Sequence, residues 1–223
     1  MRQGGIVLSA FFDYYTPESI VDVGCGLGHW LRSAQDNFGI KDILGIDGNY
    51  VDESELLISK ESFERHDLNN VLNLNRKFDL CITIEVAEHI TKDNADQFVK
   101  TITSLSDTVL FSAAAPYQGG VGHFNENTPN YWTQKFIAEE FVCFDFMRDL
   151  LWENLEVNCI YPQNLLLFVR KNSASEEHFF KKGFKTSNRP ILKYHPRFIE
   201  LRLGGKKPSI FKRILNRMLP KTS

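Results

Sequence analysis

One short run constrains this chain more than any other. Ser19-Ile20-Val21-Asp22-Val23 is β-rich and leads into Gly24-Cys25-Gly26-Leu27-Gly28, after which His29 to Asn37 has helical character. Glycines at a strand-to-helix turn leave no Cβ in the way, so the backbone can turn tightly and come close to a ligand. The following helix then points its first amide groups at that ligand. A parallel sheet is the natural setting for such a unit, and the chain supplies further strands for one. Ile43 to Asp47, Phe63 to His66, Phe78 to Ile84 and Thr108 to Ser112 are short and apolar or β-rich. Between the last two, Asp93 to Leu105 sets Ala95, Phe98, Val99, Ile102 and Leu105 at helical spacing.

Short apolar strands alternating with helices predict an α/β fold, a doubly wound and mostly parallel sheet covered on both faces. Near the end the rhythm changes. Phe141 to Met147 and Asn164 to Arg170 read as strands joined by a loop containing Trp152 and Pro162, without a crossover helix. An antiparallel edge is the expectation.

Charge divides the chain in two. Residues 1–170 hold 12 Lys+Arg against 25 Asp+Glu, and residues 171–223 hold 14 against 3. The division predicts an acidic folded body over 1–171 and a basic tail over 172–223. In the tail, Ser209 to Leu219 has Ile210, Phe211, Ile214, Leu215, Met218 and Leu219 on one helical face, with Lys212, Arg213 and Arg217 on the other. That pattern suits an anionic membrane surface, the acidic body itself or a second subunit. No nucleic-acid module is recognised, so no nucleic acid is expected. Cys25, Cys81, Cys143 and Cys159 stand singly among apolar neighbours without C-x-x-C spacing, which reads as inert thiols in a reducing compartment. No apolar run approaches the ~20 residues of a membrane span. The N-terminus shows no signal-like cleavage site, so a cytoplasmic protein, peripheral at the inner membrane surface if the tail binds lipid, is the expectation.

The glycine turn alone also fits nicotinamide binding. The dinucleotide fingerprint G-x-G-x-x-G is not met, however, because Gly28 is followed by His29. Asp22, two residues before Gly24, suits a ligand bearing an ammonium group. Asp47 ends the second strand about twenty residues on, where a carboxylate can accept both ribose hydroxyl protons. Asp67 follows the third strand and can accept from an adenine amino group.

DVGCGLG, GIDGNY, HDLNN and FDLCITIEVAEHI, in that order, resemble the class I S-adenosylmethionine-dependent methyltransferases over about residues 16–170. The resemblance implies a seven-stranded sheet and S-adenosylmethionine as cofactor. It implies that Asp22 and the loop carrying Gly24, Cys25, Gly26 and Gly28 surround the methionine end. Asp47 and Gly48 would meet the ribose, Asp67 and Leu68 the adenine, and Glu85 the sulfonium region. PESIVDVGCGLGHWL, VLFSAAAPYQGGVGHFNENTPNYW and YPQNLLLFVRK are similar to a bacterial subgroup found with surface-polysaccharide biosynthesis. That subgroup usually carries tryptophan where this chain has Thr128, at a position that would shape a wall of the substrate pocket.

Methyl transfer requires in-line alignment and, for a hydroxyl acceptor, a general base, most commonly histidine. His29 reads as a polar helix N-terminal residue, His66 as a strand end, and His178 and His195 as solvated tail residues. His123 and His89 fall after the fifth and fourth strands, at the carboxyl edge of the sheet, and are the candidate catalytic residues, His123 first because it follows the flexible stretch Gly119-Gly120-Val121-Gly122. Phe11, Phe12, Tyr14 and Tyr15 would contribute to a lid. The leading expectation is methylation of a sugar hydroxyl on a small-molecule or lipid-linked glycan acceptor, with no metal ligand assigned. A binding protein without turnover is an alternative. So is a divalent-metal methyltransferase acting on an RNA end or a quinone-like diol: Glu85-x-x-Glu88-His89 plus His123 resembles such metal sites, and its donor set suits Mg, Mn, Fe or Zn.

Overall fold

The computed structural model describes residues 2–204. Its helices are α1 (Arg2–Phe12), α2 (His29–Phe38), α3 (Ala95–Leu105), α4 (Pro129–Ala138), α5 (Met147–Leu151), α6 (Ile160–Asn164), α7 (Ala174–Lys181) and α8 (Pro196–Arg202). Its strands are β1 (Ser19–Val23), β2 (Asp42–Asp47), β3 (Phe63–Arg65), β4 (Leu80–Ile84), β5 (Thr108–Ser112), β6 (Phe141–Phe144) and β7 (Leu166–Arg170). They form one seven-stranded sheet in the order β3-β2-β1-β4-β5-β7-β6. The first five strands in that order are mutually parallel, and β7 runs antiparallel to both β5 and β6. This is the mostly parallel α/β sheet expected from the sequence, with the antiparallel strand one place in from the rim.

Every residue of β1, β4 and β5 is buried, which is why these strands read as apolar runs without alternation. Successive side chains serve opposite faces. Val21, Cys81, Val109, Phe111 and Phe168 pack with Phe98, Ile102, Trp132 and Phe136 of α3 and α4. Ile20, Ile82, Leu110 and Leu167 pack with Phe11, Leu31 and Met147 of α1, α2 and α5. In β1, Asp22 shares the face of Ile20. A carboxylate therefore occupies a core position directly below the glycine turn, where Asp22 is 1% exposed.

Two expectations are corrected here. Phe11 and Phe12 are buried in the α1–α2 layer, and the Tyr15 hydroxyl donates to the Asp79 carbonyl (3.0 Å) at the amino end of β4. The four aromatics thus build core at the sheet edge opposite the carboxyl ends, and they form no lid. His178 and His195 are not solvated either. A ring nitrogen of His178, Nε2, meets the Tyr14 carbonyl at 2.6 Å, and His195 is 5% exposed. Basic composition hid this, because the apolar anchors of the segment are few: Phe179 is fully buried against Phe11, Phe144 and Phe146, and Phe198 is buried in α8. The amphipathic pattern over 209–219 lies outside the described residues.

Candidate active site

The glycine turn and the carboxyl ends of β1, β2, β3 and β4 enclose a cavity of about 970 Å³. Gly24 (φ +84°) and Gly26 (φ +54°) shape its floor for different reasons. A Cβ on Gly24 would stand 2.3 Å from Val86 Cγ2, so β1 and the segment after β4 meet only because that atom is missing. A Cβ on Gly26 would meet nothing within 4 Å; the open space beside it is the cavity.

Seven of the ten expected cofactor residues line this space: Gly24, Gly26, Asp47, Gly48, Asp67, Leu68 and Glu85. Asp22, Cys25 and Gly28 do not. Asp22 lies beneath the turn with Oδ2 unpartnered, and burial, then the Asp47 charge, pushes its pKa well above the usual range. The Cys25 thiol packs beside Gly45 of β2, and burial raises its pKa. Gly28, the left-handed N-cap of α2, backs onto Ile58.

Asp47 is 2% exposed and heavily engaged. Its Oδ2 accepts from Gly26 N–H (2.6 Å), and its Oδ1 accepts from Gly48 N–H (2.6 Å) and from the Tyr50 hydroxyl. Tyr50 was not singled out from the sequence, although the motif GIDGNY places it three residues past the acid. Tyr50 lines the cavity and is exposed, and desolvation of its hydroxyl, with the Asp47 bond, raises its pKa. Asp67 accepts from the backbone N–H of Asn69 (3.0 Å), fixing a turn that brings Asn69 into the lining.

Glu85 adopts φ +57°, unusual for a non-glycine residue. Its Oε1 accepts from the Ser112 hydroxyl (2.8 Å) and Asn164 Nδ2 (3.0 Å), and its Oε2 from Gln118 Nε2 (2.5 Å). Burial raises its pKa and these three bonds oppose that shift. Gln118 and Asn164 come from sequence positions 46 residues apart, and no local pattern announces either.

The two candidate catalytic histidines meet edge to face, ring centroids 4.8 Å apart. Only His89 lines the cavity. A backbone carbonyl can only accept, so His89 Nδ1–H donates to Gly122 O (3.0 Å) and leaves Nε2 as an acceptor. Burial lowers the pKa of His89, and neighbouring His123 adds to the effect. His123 sits one step behind, its Nδ1 2.8 Å from Glu126 and its Nε2 4.0 Å from Glu88. Glu88 is 1% exposed, with Oε2 unpartnered; burial, then the Glu85 charge, pushes its pKa up to about 8. Ligating atoms of Glu88, His89 and His123 lie within 4.8 Å of one another. Glu85, the fourth member of the motif, is outside that group. Thr128 does not line the cavity; its hydroxyl caps α4 by accepting from Tyr131 N–H (3.3 Å).

A family model described as a methyltransferase domain matches residues 7–158. The chain belongs to that methyltransferase-domain family. Among solved structures, it resembles the methyltransferase domain of bacterial CtHen1 (16% identity, TM-score 0.55), covering 75% of this chain and 98% of that one. It also resembles human N-acetylserotonin methyltransferase in complex with SAM (16%, TM-score 0.54; 76% and 52% covered). A third is the small RNA methyltransferase HEN1 (18%, TM-score 0.54; 75% and 25% covered). At these identities the likeness is one of fold. No curated protein matches the sequence. The protein is a methyltransferase, and S-adenosylmethionine is its expected cofactor. The site fits that group: Gly26 borders open space, Asp22 holds an unpaired buried oxygen below the turn, and Asp47 presents a carboxylate at the second strand end. Among the described residues no helix is long and apolar enough to cross a membrane.

Proposed function

We propose that this methyltransferase acts on a hydroxyl of a neutral, ring-bearing acceptor, a sugar being the best fit. The carrying observation is the charge of the cavity. Asp47, Asp67 and Glu85 line it, and no lysine or arginine does among the described residues. In this reading the three acids serve the cofactor, and the remaining lining offers a phosphorylated or carboxylated acceptor no cation to pair with. Tyr50 and Val121 line the cavity and are 80% and 97% exposed, and Phe124, 67% exposed, is held beside His89 by its N–H on the Glu88 carbonyl, an apolar and aromatic surface of the kind on which a sugar ring stacks.

In this reading Asp47 holds the ribose, Asp67 and Leu68 border the adenine, and Gly24, Cys25, Gly26 and Gly28 form the turn around the methionine end, with Asp22 beneath. When bound, S-adenosylmethionine supplies an electrophilic methyl group on sulfur. His89 Nε2 accepts the proton of the attacking hydroxyl, and the lowered pKa keeps the ring neutral and ready for this. His123, anchored by Glu126, supports His89 from behind. Subgroup similarity and the basic tail together favour a glycan carried on a lipid at an anionic membrane surface. The test is transfer of labelled methyl from S-adenosylmethionine to a panel of neutral glycosides, with sugar phosphates and short RNAs as comparators. Transfer to the neutral members supports the reading. Transfer confined to the phosphorylated ones contradicts it.

A second reading is favoured by one specific arrangement. His89 and His123 both have Nδ1 anchored, by Gly122 and Glu126, and Glu88 has a free buried oxygen beside them. Anchoring the far nitrogen is how ligating histidines are oriented, so the trio suits a divalent cation. Loss of transfer on chelation, with return on adding Mg²⁺ or Mn²⁺, would support this reading; indifference to chelator would exclude it.

A further inference from the structure

The family match ends at residue 158, yet the chain beyond it reaches the cofactor cavity. Residues 191–202 cross the surface as a strap tied to the body by several hydrogen bonds, four of which bear on the site. Buried Arg148 donates to the Ile191 carbonyl (2.9 Å), and Asp145 holds that guanidinium from the other side. The Tyr194 hydroxyl donates to the Pro116 carbonyl (2.7 Å), at the start of the loop that carries His123. The His195 ring donates from Nε2 to the Trp152 carbonyl (2.9 Å), since its Nδ1 already accepts from Arg197 N–H. Lastly, His195 N–H donates to Gln163 Oε1 (3.1 Å).

That last bond opens a chain with one direction. Gln163 Nε2 donates to Gln118 Oε1 (3.3 Å), and Gln118 Nε2 donates to Glu85 Oε2 (2.5 Å). Asn164 Nδ2 braces the same pair, donating to Gln118 Oε1 and Glu85 Oε1 (2.8 and 3.0 Å). All three amide side chains are nearly buried: Gln118 6%, Gln163 1% and Asn164 5% exposed. Gln163 and Gln118 each have the oxygen toward the strap and the nitrogen toward the glutamate, and the Gln118 oxygen also accepts from Ala115 N–H (3.2 Å). The aligned dipoles favour negative charge at the end of the chain, and successive hydrogen bonds polarise one another.

We propose that the strap is a positioning element of the cofactor site: His195 N–H orients Gln163, Gln163 orients Gln118, and Gln118 fixes the Glu85 carboxylate that faces a bound sulfonium. This rests on the cofactor reading above. Gln118, Gln163 and His195 touch no substrate; they act through Glu85. Holding the anion toward a cation matters for a sulfonium and much less for the neutral thioether left after transfer. The ratio of affinities for S-adenosylmethionine and S-adenosylhomocysteine therefore reads the relay, whereas a purely structural role would move both affinities together.

The experiment is calorimetry of the full chain with both compounds, for wild type and four variants. Gln163→Leu and Gln163→Met remove the relay amide, Met serving if Leu does not fold. His195→Ala removes the ring and keeps the N–H; His195→Pro removes both, and φ −64° at that position already suits proline. Both Gln163 variants and His195→Pro should lower the preference for the sulfonium by about three- to tenfold, the scale of the neutral hydrogen bond each one removes, and His195→Ala should leave it near wild type. An unchanged ratio in folded Gln163 variants, or equal ratios for His195→Ala and His195→Pro, overturns the proposal. If wild type binds neither compound, the cofactor reading itself has failed.

Discussion

Gly24→Ala and Gly26→Ala separate packing from binding at two positions two residues apart. At Gly24 (φ +84°) an alanine must hold a left-handed backbone, costing roughly 1–2 kcal/mol. Its Cβ would also stand 2.3 and 2.6 Å from the two Val86 methyl carbons. Val86 is 8% exposed and packed in the layer with Val21 and Ala87, so it cannot swing aside freely, and overpacking adds roughly 1–3 kcal/mol. Gly24→Ala should therefore lose about 2–5 kcal/mol of stability. At Gly26 (φ +54°) only the backbone strain applies, because nothing lies within 4 Å, so the loss is about 1–2 kcal/mol. The Gly26 methyl instead projects where the cofactor has to lie. A clash of the same overpacking scale there weakens binding by about tenfold or more. Urea denaturation gives the stabilities, and calorimetry with S-adenosylhomocysteine gives the affinities. Equal destabilisation of the two variants, or wild-type affinity in Gly26→Ala, would refute the reasoning.

Three further outcomes are expected. The folded-state pKa of Glu88 is raised from 4.5 to about 8, so the folded state holds that proton more tightly than the unfolded chain. Its contribution is complete below about 4.5 and is lost as pH rises toward 8, up to about 5 kcal/mol in all; Glu88→Gln should flatten the fall in denaturation free energy between pH 5 and 8, and an unaltered slope would assign it to other groups. Tyr50→Phe frees Asp47 Oδ1 from a competing hydroxyl and should tighten S-adenosylhomocysteine binding several-fold by calorimetry, whereas weaker binding would mean that the phenol helps to hold the cofactor. Deleting residues 204–223, which carry six Lys+Arg and no acid, should abolish sedimentation with anionic liposomes and leave cofactor affinity intact; retained sedimentation would remove the membrane idea.

The strand ends and the turn were legible in the sequence because local chemistry writes them: all-apolar runs, glycines at a turn, and an acid at or just past the end of each of three strands. Asp47, Asp67 and Glu85 reach one cavity for that reason. Cys25 and Gly28 belong to the same contiguous motif, and what the motif does not show is that the Cys25 thiol lies beside Gly45 and that Gly28 backs onto Ile58. Distant partners left no local trace. Gln118, Asn164 and Glu85 meet only after β4, β5 and β7 have paired. The aromatics of α1 looked like a lid because sequence shows apolar character without direction; their burial with Phe38 and Phe179 decides it. The histidines of the basic segment were misjudged by composition, since a few buried rings are enough to dock a charged stretch.

The central claim is that the turn from Asp22 to Gly28, with Asp47, holds an adenosyl amino acid. Titration of the full chain with S-adenosylmethionine, S-adenosylhomocysteine and a reduced nicotinamide dinucleotide, in wild type and Asp47→Ala, tests it most directly. Heat from the first two alone, largely gone in the variant, is the predicted result. Binding of the nicotinamide compound in place of the adenosyl pair, or equal binding by Asp47→Ala, would contradict it.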